Sequence, residues 1–212
     1  MSAADLLSLT QWLSPAFPTG AFAYSHGLER VIAEGTIRDG DTLEDWLTGI
    51  LMHGSGWQDA VLLGQGLRPG ADLDALDQLA RALAPSSERL RETLEQGAAL
   101  ARTVAAITGR AQPARALPVA LAGAAAGLTV APATFIALYL QGFAGNLATI
   151  AVRHVPLGQT EGQGVLARLA PVLAALADSA AEATLDDLGG SALAAELAAF
   201  EHETQDIRIF RT

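Results

Sequence analysis

The sequence predicts an all-α protein, a single-domain bundle of about nine or ten helices. Ala and Leu, the residues with the strongest helix propensity, dominate the chain. Apolar residues recur at helical spacing through most of it, and no segment alternates convincingly as a half-buried strand does. With 212 residues, of which 50% are hydrophobic, the chain is long enough to bury a substantial core.

The N-terminal half contains six predicted helices with clear start and stop signals. They cover residues 4–13, residues 22–34, a segment after Asp41, residues 58–67, residues 72–83 and a long segment from about 87 to 108. The first ends at Ser14-Pro15, because the residue before proline is pushed out of helical geometry. Gly35 ends the second, and Asp41 and Glu44 form a capping-box-like pair before the third.

The long sixth helix and the C-terminal half complete the predicted bundle. The apolar face expected for the sixth helix carries Leu90, Leu94, Ala98, Ala101, Val104 and Ala105. The later helices are expected at about 114–127, 133–153, 164–181 and 191–204. Residues 154–163, with Pro156 and Gly158, are predicted to be a polar turn region.

An uncharged run extends from residue 116 to residue 152. A run of this length could hold a transmembrane hairpin. It is rich in Ala and Gly, and it contains Pro118, Pro132, Gln141 and Asn146. We therefore predict two buried helices of a soluble bundle, broken near Pro132, and no membrane association.

The charged residues exclude several classes of function. The net charge is −10, which disfavours nucleic acid binding, since that depends on basic contacts to phosphates. All 13 basic residues are Arg, so the chain has neither a Schiff-base lysine nor a P-loop. It also has no Cys, which excludes thiol catalysis and disulfides. The N-terminal residues do not resemble a signal peptide, and we expect a cytoplasmic protein.

The four histidines, His26, His53, His154 and His202, do not form a recognisable metal motif. Glu29 lies three residues after His26, and such a pair can ligate a metal. One pair supplies only two ligands, whereas a tight site needs three or four. We expect no tightly bound cofactor or metal. Imidazole suits nickel, which leaves His26 and His154 as weak candidates for a transient contact.

Ser25 and His26 are adjacent, which suggests a nucleophile and its base. On a helix, adjacent side chains point about 100° apart, which does not favour a hydrogen-bonded pair. There is also no GxSxG elbow. The alternative is that Tyr24, Ser25 and His26 fix the junction between the loop and the second helix, and we predict no enzymatic activity.

The C-terminal tail, residues 205–212, alternates apolar and basic side chains. Ile207, Ile209 and Phe210 are interleaved with Arg208 and Arg211. Exposed apolar and Arg residues at a chain end are typical of interface anchors. The alternative is a tail that folds back onto its own core.

Five ordered motifs resemble those of the UreF family of urease accessory proteins. The first and most extensive is SPAFPTGAFAYSHGLE at residues 14–29, with Pro15, Pro18, Gly20, Phe22, Tyr24, Ser25, His26, Gly27, Leu28 and Glu29 in place. The others are Asp59-Ala60, Arg91-Glu92-Thr93 with Gln96-Gly97, Pro156-Leu157-Gly158-Gln159-Thr160 with Gly162-Gln163, and Arg208-Ile209-Phe210-Arg211-Thr212. The family more often has Leu and Ser at positions 209 and 212.

The resemblance implies a homodimeric scaffold rather than an enzyme. Its implied partners are UreD (also called UreH), the GTPase UreG and apo-urease, into which the assembly inserts nickel. Nickel would pass transiently through this assembly. The residues expected to contact partners are Tyr24, Ser25, His26, Glu29, Gln159, Thr160, Gln163, Arg208, Ile209, Phe210 and Arg211.

Three other hypotheses remain open at this point. The chain could modulate GTP hydrolysis by UreG, although the sequence singles out no arginine as a finger. It could be a membrane hairpin protein built on residues 116–152. It could also be a small helical enzyme, which would require a pocket with converging titratable groups.

Overall fold

A computed structural model describes residues 2–206 and 208–211 of the chain. Within these ranges, no residue lies in a strand, which confirms the all-α class. The described residues form two short 3₁₀ helices, Ala21–Ala23 and Leu185–Asp187, and ten α-helices. The α-helices are α1 (Ala3–Trp12), α2 (Leu28–Ala33), α3 (Gly40–His53), α4 (Ser55–Gly66), α5 (Leu73–Ala82), α6 (Ser87–Thr108), α7 (Leu117–Ala124), α8 (Pro132–His154), α9 (Gln159–Glu182) and α10 (Leu193–Glu203).

The two longest helices, α8 and α9, form the centre of the bundle and pack along each other. Only residues 155–158 connect them, so they run antiparallel. Helices α3 and α4 pack against both, while α10 packs mainly on α2. The largest fully buried side chains are almost all aliphatic: Leu9, Leu28, Leu43, Leu47, Leu51, Leu62, Leu63, Leu100, Leu121, Ile136 and Leu140, together with Phe135.

The helix predicted over residues 22–34 is wrong in its first half. Tyr24 is extended, and His26 and Gly27 have φ values of 53° and 74°, which belong to the left-handed region. That geometry is incompatible with a right-handed helix, so α2 begins only at Leu28. A Cβ at Gly27 would lie 2.9 Å from Cβ of Ala198, so glycine is also needed for the contact with α10.

Several other helix boundaries differ from the prediction. The capping box of α3 uses Asp39 and Thr42 instead of Asp41 and Glu44. Helix α9 begins at Gln159, which shortens the predicted polar turn to a few residues. Helix α4 begins three residues before the predicted position, and α7 is shorter at both ends.

The buried face of α6 differs from the predicted apolar face. Leu90 and Leu94 are only half-buried. The buried face instead carries Glu88, Arg89, Glu92, Thr93, Gln96, Gly97, Leu100, Ala101 and Val104. The prediction failed because it assumed that charged residues face water, whereas these have buried partners from other helices.

The uncharged segment forms two helices, as predicted, but they have different neighbours. Helix α7 packs on α4 and α6, and α8 packs along α9. By length and composition alone, α8 and α9 could each cross a membrane. The protein itself buries 50% of the apolar window of α8 and 39% of that of α9. Long core helices of a helical bundle meet the same criterion.

Candidate functional site

The junction residues 24–27 lie in the interior, where the N-terminal loop meets α6, α8 and α10. Tyr24, Ser25 and His26 are 2%, 0% and 9% exposed. The left-handed turn at His26 and Gly27 directs the imidazole of His26 towards α6, where Nε2 lies 2.9 Å from Oε1 of Glu92. The expected role of these residues in fixing the junction agrees with this burial. Partner contact by Tyr24, Ser25 and His26 stays a prediction.

His26 is one end of a buried polar cluster that we call the α6 network, defined as His26, Asp59, Arg89, Glu92, Gln96 and Tyr139. Gln96 donates to Oε1 of Glu92 over 2.8 Å, and the guanidinium of Arg89 lies 3.4 Å from Oε2. Arg89 and the hydroxyl of Tyr139 each donate to Oδ2 of Asp59 over 2.6 Å. The network therefore ties the junction to α4, α6 and α8.

Electrostatics inside the α6 network favour the charged forms of Glu92 and Arg89. Burial acts to raise the pKa of Glu92, but His26 and Arg89 more than offset this effect and lower it. Burial likewise opposes the charge on Arg89, yet Asp59 and Glu92 raise its pKa. Burial and the adjacent Asp59 charge raise the pKa of the Tyr139 phenol well above its usual value, so the phenol stays a donor.

A cavity of about 80 Å³ lies beside the α6 network, beneath the loop of residues 14–22. His26, Arg89, Glu92 and Gln96 line one side of it, and Trp12, Phe22, Leu100, Leu121 and Phe143 are among the apolar residues of its walls. The polar side chains that reach it contact one another: Arg89 and Gln96 contact Glu92 along α6, and His26 contacts Glu92 from the junction. Ser25 is not part of the lining. The geometry thus gives no support to a nucleophile formed by Ser25 and His26.

A second buried cluster, the tail clasp, consists of Glu29, Glu88 and His202. His202 is 0% exposed, and it lies between the other two, with Nδ1 3.1 Å from Oε2 of Glu88 and Nε2 3.1 Å from Oε2 of Glu29. The carboxylates of Glu29 and Glu88 also hold the tail. Burial acts to raise the pKa of Glu29, but hydrogen bonds from the tail and from His202 more than offset this and lower it.

The described tail residues fold back onto the protein. The amides of Ile209 and Phe210 each donate to Glu29 over 2.9 Å, and Arg208 pairs with Glu88. Phe210 is 9% exposed and packs edge-on against His154, at a ring-centroid distance of 5.2 Å. The side chain of Ile209, in contrast, is 67% exposed. The described part of the tail therefore folds back onto the core, as the alternative predicted, while its role as an interface anchor stays a prediction. Ile207 and Thr212 lie outside the described residues.

Tyr24 connects the junction to the end of the tail. Its hydroxyl donates to Oε2 of Glu95 over 2.7 Å, and Arg211 reaches the same oxygen over 3.0 Å. Burial and the Glu95 hydrogen bond raise the pKa of Tyr24 to about 12. The amide of Arg211 donates to the carbonyl of Ala23 over 2.8 Å. The first and last motifs of the sequence thus meet in space.

The motif at residues 156–163 lies at the start of α9. The three predicted contact residues Gln159, Thr160 and Gln163 are exposed there. Glu161 between them accepts a hydrogen bond from the amide of Gly40 over 3.1 Å, at the N-terminus of α3. The backbone of this motif is therefore anchored, while its three polar side chains face outward.

The histidines do not converge on one another. His26 and His202 lie in separate buried clusters, and His53 and His154 are exposed. Among the described residues, no group of three or more His, Asp or Glu side chains has the geometry of a metal site. A transient nickel contact at His26 or His154 stays a prediction.

Sequence reasoning missed the roles of His202, Glu88, Asp59, Arg89 and Tyr139. The sequence did contain signals for Asp59 itself and for Glu92, the neighbour of Arg89, since both lie in recognised motifs. His202 gave no such signal: its neighbours Glu201 and Glu203 are not its partners, and those partners are far away in the sequence.

Comparisons with known proteins agree with the motifs. The family model described as UreF matches residues 37–170. A protein of Cereibacter sphaeroides named "Urease accessory protein UreF" is 60% identical over 212 residues, which cover all of both chains. Relatives of the same name from Paracoccus denitrificans and Jannaschia sp. are 52% and 51% identical, over 97% and 98% of this chain and 95% and 94% of their own lengths. The chain therefore belongs to the UreF family, whose members are accessory proteins of urease and not enzymes.

Proposed function

We propose that this protein is a scaffold for nickel insertion into apo-urease, which bridges UreD (UreH) and the GTPase UreG. The observation that carries the proposal is the docked tail. It presents the exposed side chain of Ile209 between Arg208 and Arg211, on a backbone held by hydrogen bonds from the amides of Ile209 and Phe210 to Glu29. A pre-ordered apolar and Arg-rich surface binds a partner without the cost of ordering the chain, which is about 1–2 kcal/mol per residue.

The test is co-purification with tagged UreD and UreG, followed by measurement of the mass of any complex. We expect a stable complex that contains two copies of this chain. The variant Ile209→Asp should weaken UreD binding at least tenfold, because it places a charge in the apolar centre of the surface. Its fold should be unaffected, because the amide of residue 209 still donates to Glu29.

A matched control is Ile107→Asp. Ile107 is 51% exposed and lies at the end of α6 away from the tail clasp. It should leave the complex intact. Equal loss of UreD binding in both variants, or intact binding in Ile209→Asp, would contradict the assignment of the tail.

The homodimer is supported by the apolar helices at the centre of the bundle. The exposed part of α9 is lined by small residues, including Ala167, Ala170 and Ala174. A second copy of the chain would cover part of this surface, since large apolar areas rarely stay in contact with water. Sedimentation equilibrium of the isolated protein tests this proposal, and a monomer at micromolar concentration would contradict it.

We also propose that this protein modulates GTP hydrolysis by UreG. Arg208 and Arg211 are the arginines of the proposed surface, and each has a carboxylate partner in this chain. Measuring UreG hydrolysis in the complete complex, with and without this protein, separates regulation from passive scaffolding. We expect the protein to act in the cytoplasm, where nickel passes through the complex without tight binding to this chain.

A further inference from the structure

His202 of α10 lies between two carboxylates. Both of its ring nitrogens lie 3.1 Å from a carboxylate oxygen, one from Glu29 and the other from Glu88. Ionised carboxylates only accept hydrogen bonds, and a neutral imidazole has only one N–H to donate. With both carboxylates ionised, both contacts can therefore be hydrogen bonds only when His202 carries a proton on each nitrogen.

The charges around His202 favour the same state. Glu29 of α2 and Glu88 of α6 each contribute a negative charge, and Arg208 of the tail contributes one positive charge. On α10 itself, Glu203 is turned towards the start of α6, where it binds Ser87 and the amide of Glu88, and Glu201 pairs with Arg30. A proton on His202 thus balances the charge of the cluster, and its loss leaves one uncompensated negative charge in the interior.

The two carboxylates beside His202 are also the groups that hold the tail. Glu29 accepts from the amides of Ile209 and Phe210, and Glu88 binds Arg208. We propose that His202 makes docking of the C-terminal tail dependent on a proton: the imidazolium holds Glu29 and Glu88 in position, and deprotonation releases the tail.

Release follows from the geometry of the deprotonated state. One ring nitrogen then presents a lone pair to a carboxylate at 3.1 Å, in a site without access to solvent. The carboxylate relieves this repulsion by turning towards water. Because Glu29 and Glu88 hold residues 208–210 of the tail, either movement loosens this part, while Arg211 keeps its contacts with Glu95 and Ala23. This device acts within the isolated chain, so it goes beyond the scaffold function and does not depend on it.

The chain has no Cys, so a single cysteine can report on the tail. We would introduce Ile209→Cys, whose side chain is 67% exposed, attach a nitroxide spin label and record its electron paramagnetic resonance spectrum between pH 6 and pH 9. We expect an immobilised label at pH 6 and an at least threefold larger mobile fraction at pH 9. A label at Ile107→Cys should give the same spectrum throughout. Tyr24 does not titrate in this range, since its pKa is about 12.

Variants of the clasp assign the transition to His202. The variant His202→Gln, in the labelled background, should give a mobile tail at every pH with no transition. In Glu88→Gln, an amide can donate to a neutral imidazole, so the transition should also be lost. Glu88→Gln is close in shape to the wild type, and it keeps the test open if His202→Gln does not fold.

The competing source of a transition is His154, whose ring packs against Phe210. His154→Gln should keep the transition. Three results would overturn the proposal: a label mobility in the otherwise unmodified chain that does not change with pH, a transition that persists in His202→Gln or Glu88→Gln, or one that disappears in His154→Gln alone.

Discussion

The two halves of α6 are buried in opposite ways. The first half buries Glu88, Arg89, Glu92 and Gln96 against charged and polar partners, whereas the second buries Leu100, Ala101 and Val104 against apolar side chains. The residues named in both halves are buried, but those of the first half bond the junction and the tail. The first half thus links distant parts of the chain in a fixed geometry, and the second supplies ordinary core packing.

The largest expected effect comes from breaking the polar half. Asp59→Ala removes the partner of both Arg89 and Tyr139 and leaves a buried guanidinium without its main counter-charge. We expect the free energy of unfolding to fall by about 3–5 kcal/mol, measured by urea denaturation. The double variant Asp59→Leu/Arg89→Met should recover much of the loss, because it removes both charges. A loss below about 1 kcal/mol in Asp59→Ala would mean that the network is solvated.

The apolar half should respond through volume instead of charge. Leu100→Ala leaves a cavity at a fully buried site and should cost about 3 kcal/mol. The same loss should be measured at 50 mM and 500 mM salt, because no charge is exposed or removed. A loss of unfolding free energy that depends strongly on salt would contradict the assignment of this half of α6 to apolar packing.

The packing of the junction, which contacts the polar half of α6 through His26, can be tested by substituting two glycines. Gly27 and Gly35 have similar left-handed φ values of 74° and 76°, but only Gly27 abuts α10, while Gly35 has open space around its Cβ position. Gly35→Ala should cost about 1 kcal/mol from backbone strain. Gly27→Ala should cost about 2–3 kcal/mol, since it adds a clash with Ala198 and Ala199. If urea denaturation gave equal losses of unfolding free energy for the two variants, α10 would have to move aside to accommodate the added Cβ at little cost.

The smallest expected effect is at the entrance to α6, where Glu203 binds Ser87 and the amide of Glu88. Glu203→Gln should cost about 0.5 kcal/mol at pH 7, because it removes a negative charge from a helix N-terminus. Burial acts to raise the pKa of Glu203, but these hydrogen bonds lower it from 4.5.

The sign of the pH dependence follows from that lowered pKa. The contribution of Glu203 is fully present above its unfolded pKa of 4.5 and is lost as pH falls through the folded value. The difference between wild type and Glu203→Gln should therefore shrink below pH 4.5, as followed by denaturation at pH 7, 5 and 3.5. A difference that grows in acid would contradict the role assigned to Glu203.

The same contrast explains what the sequence could predict. Helix positions followed from apolar periodicity, as in α3 with its buried Leu43, Leu47, Ile50 and Leu51. Family membership followed from five ordered motifs, whose residues and spacing can be read directly from this one sequence. The buried face of the first half of α6 could not be predicted from the sequence, because the buried Glu92 and the exposed Glu95 have the same side chain. What marks the buried face is its distant partners, His26 for Glu92 and Asp59 for Arg89, and their proximity is a property of the fold.

The tail is fastened at positions 209 and 210 by its backbone amides. Every amino acid except proline carries the same N–H group, so Glu29 is indifferent to the side chain at position 209. Attachment of the tail therefore places no demand on the side chain at position 209. Any residue but proline can stand there while the tail stays docked.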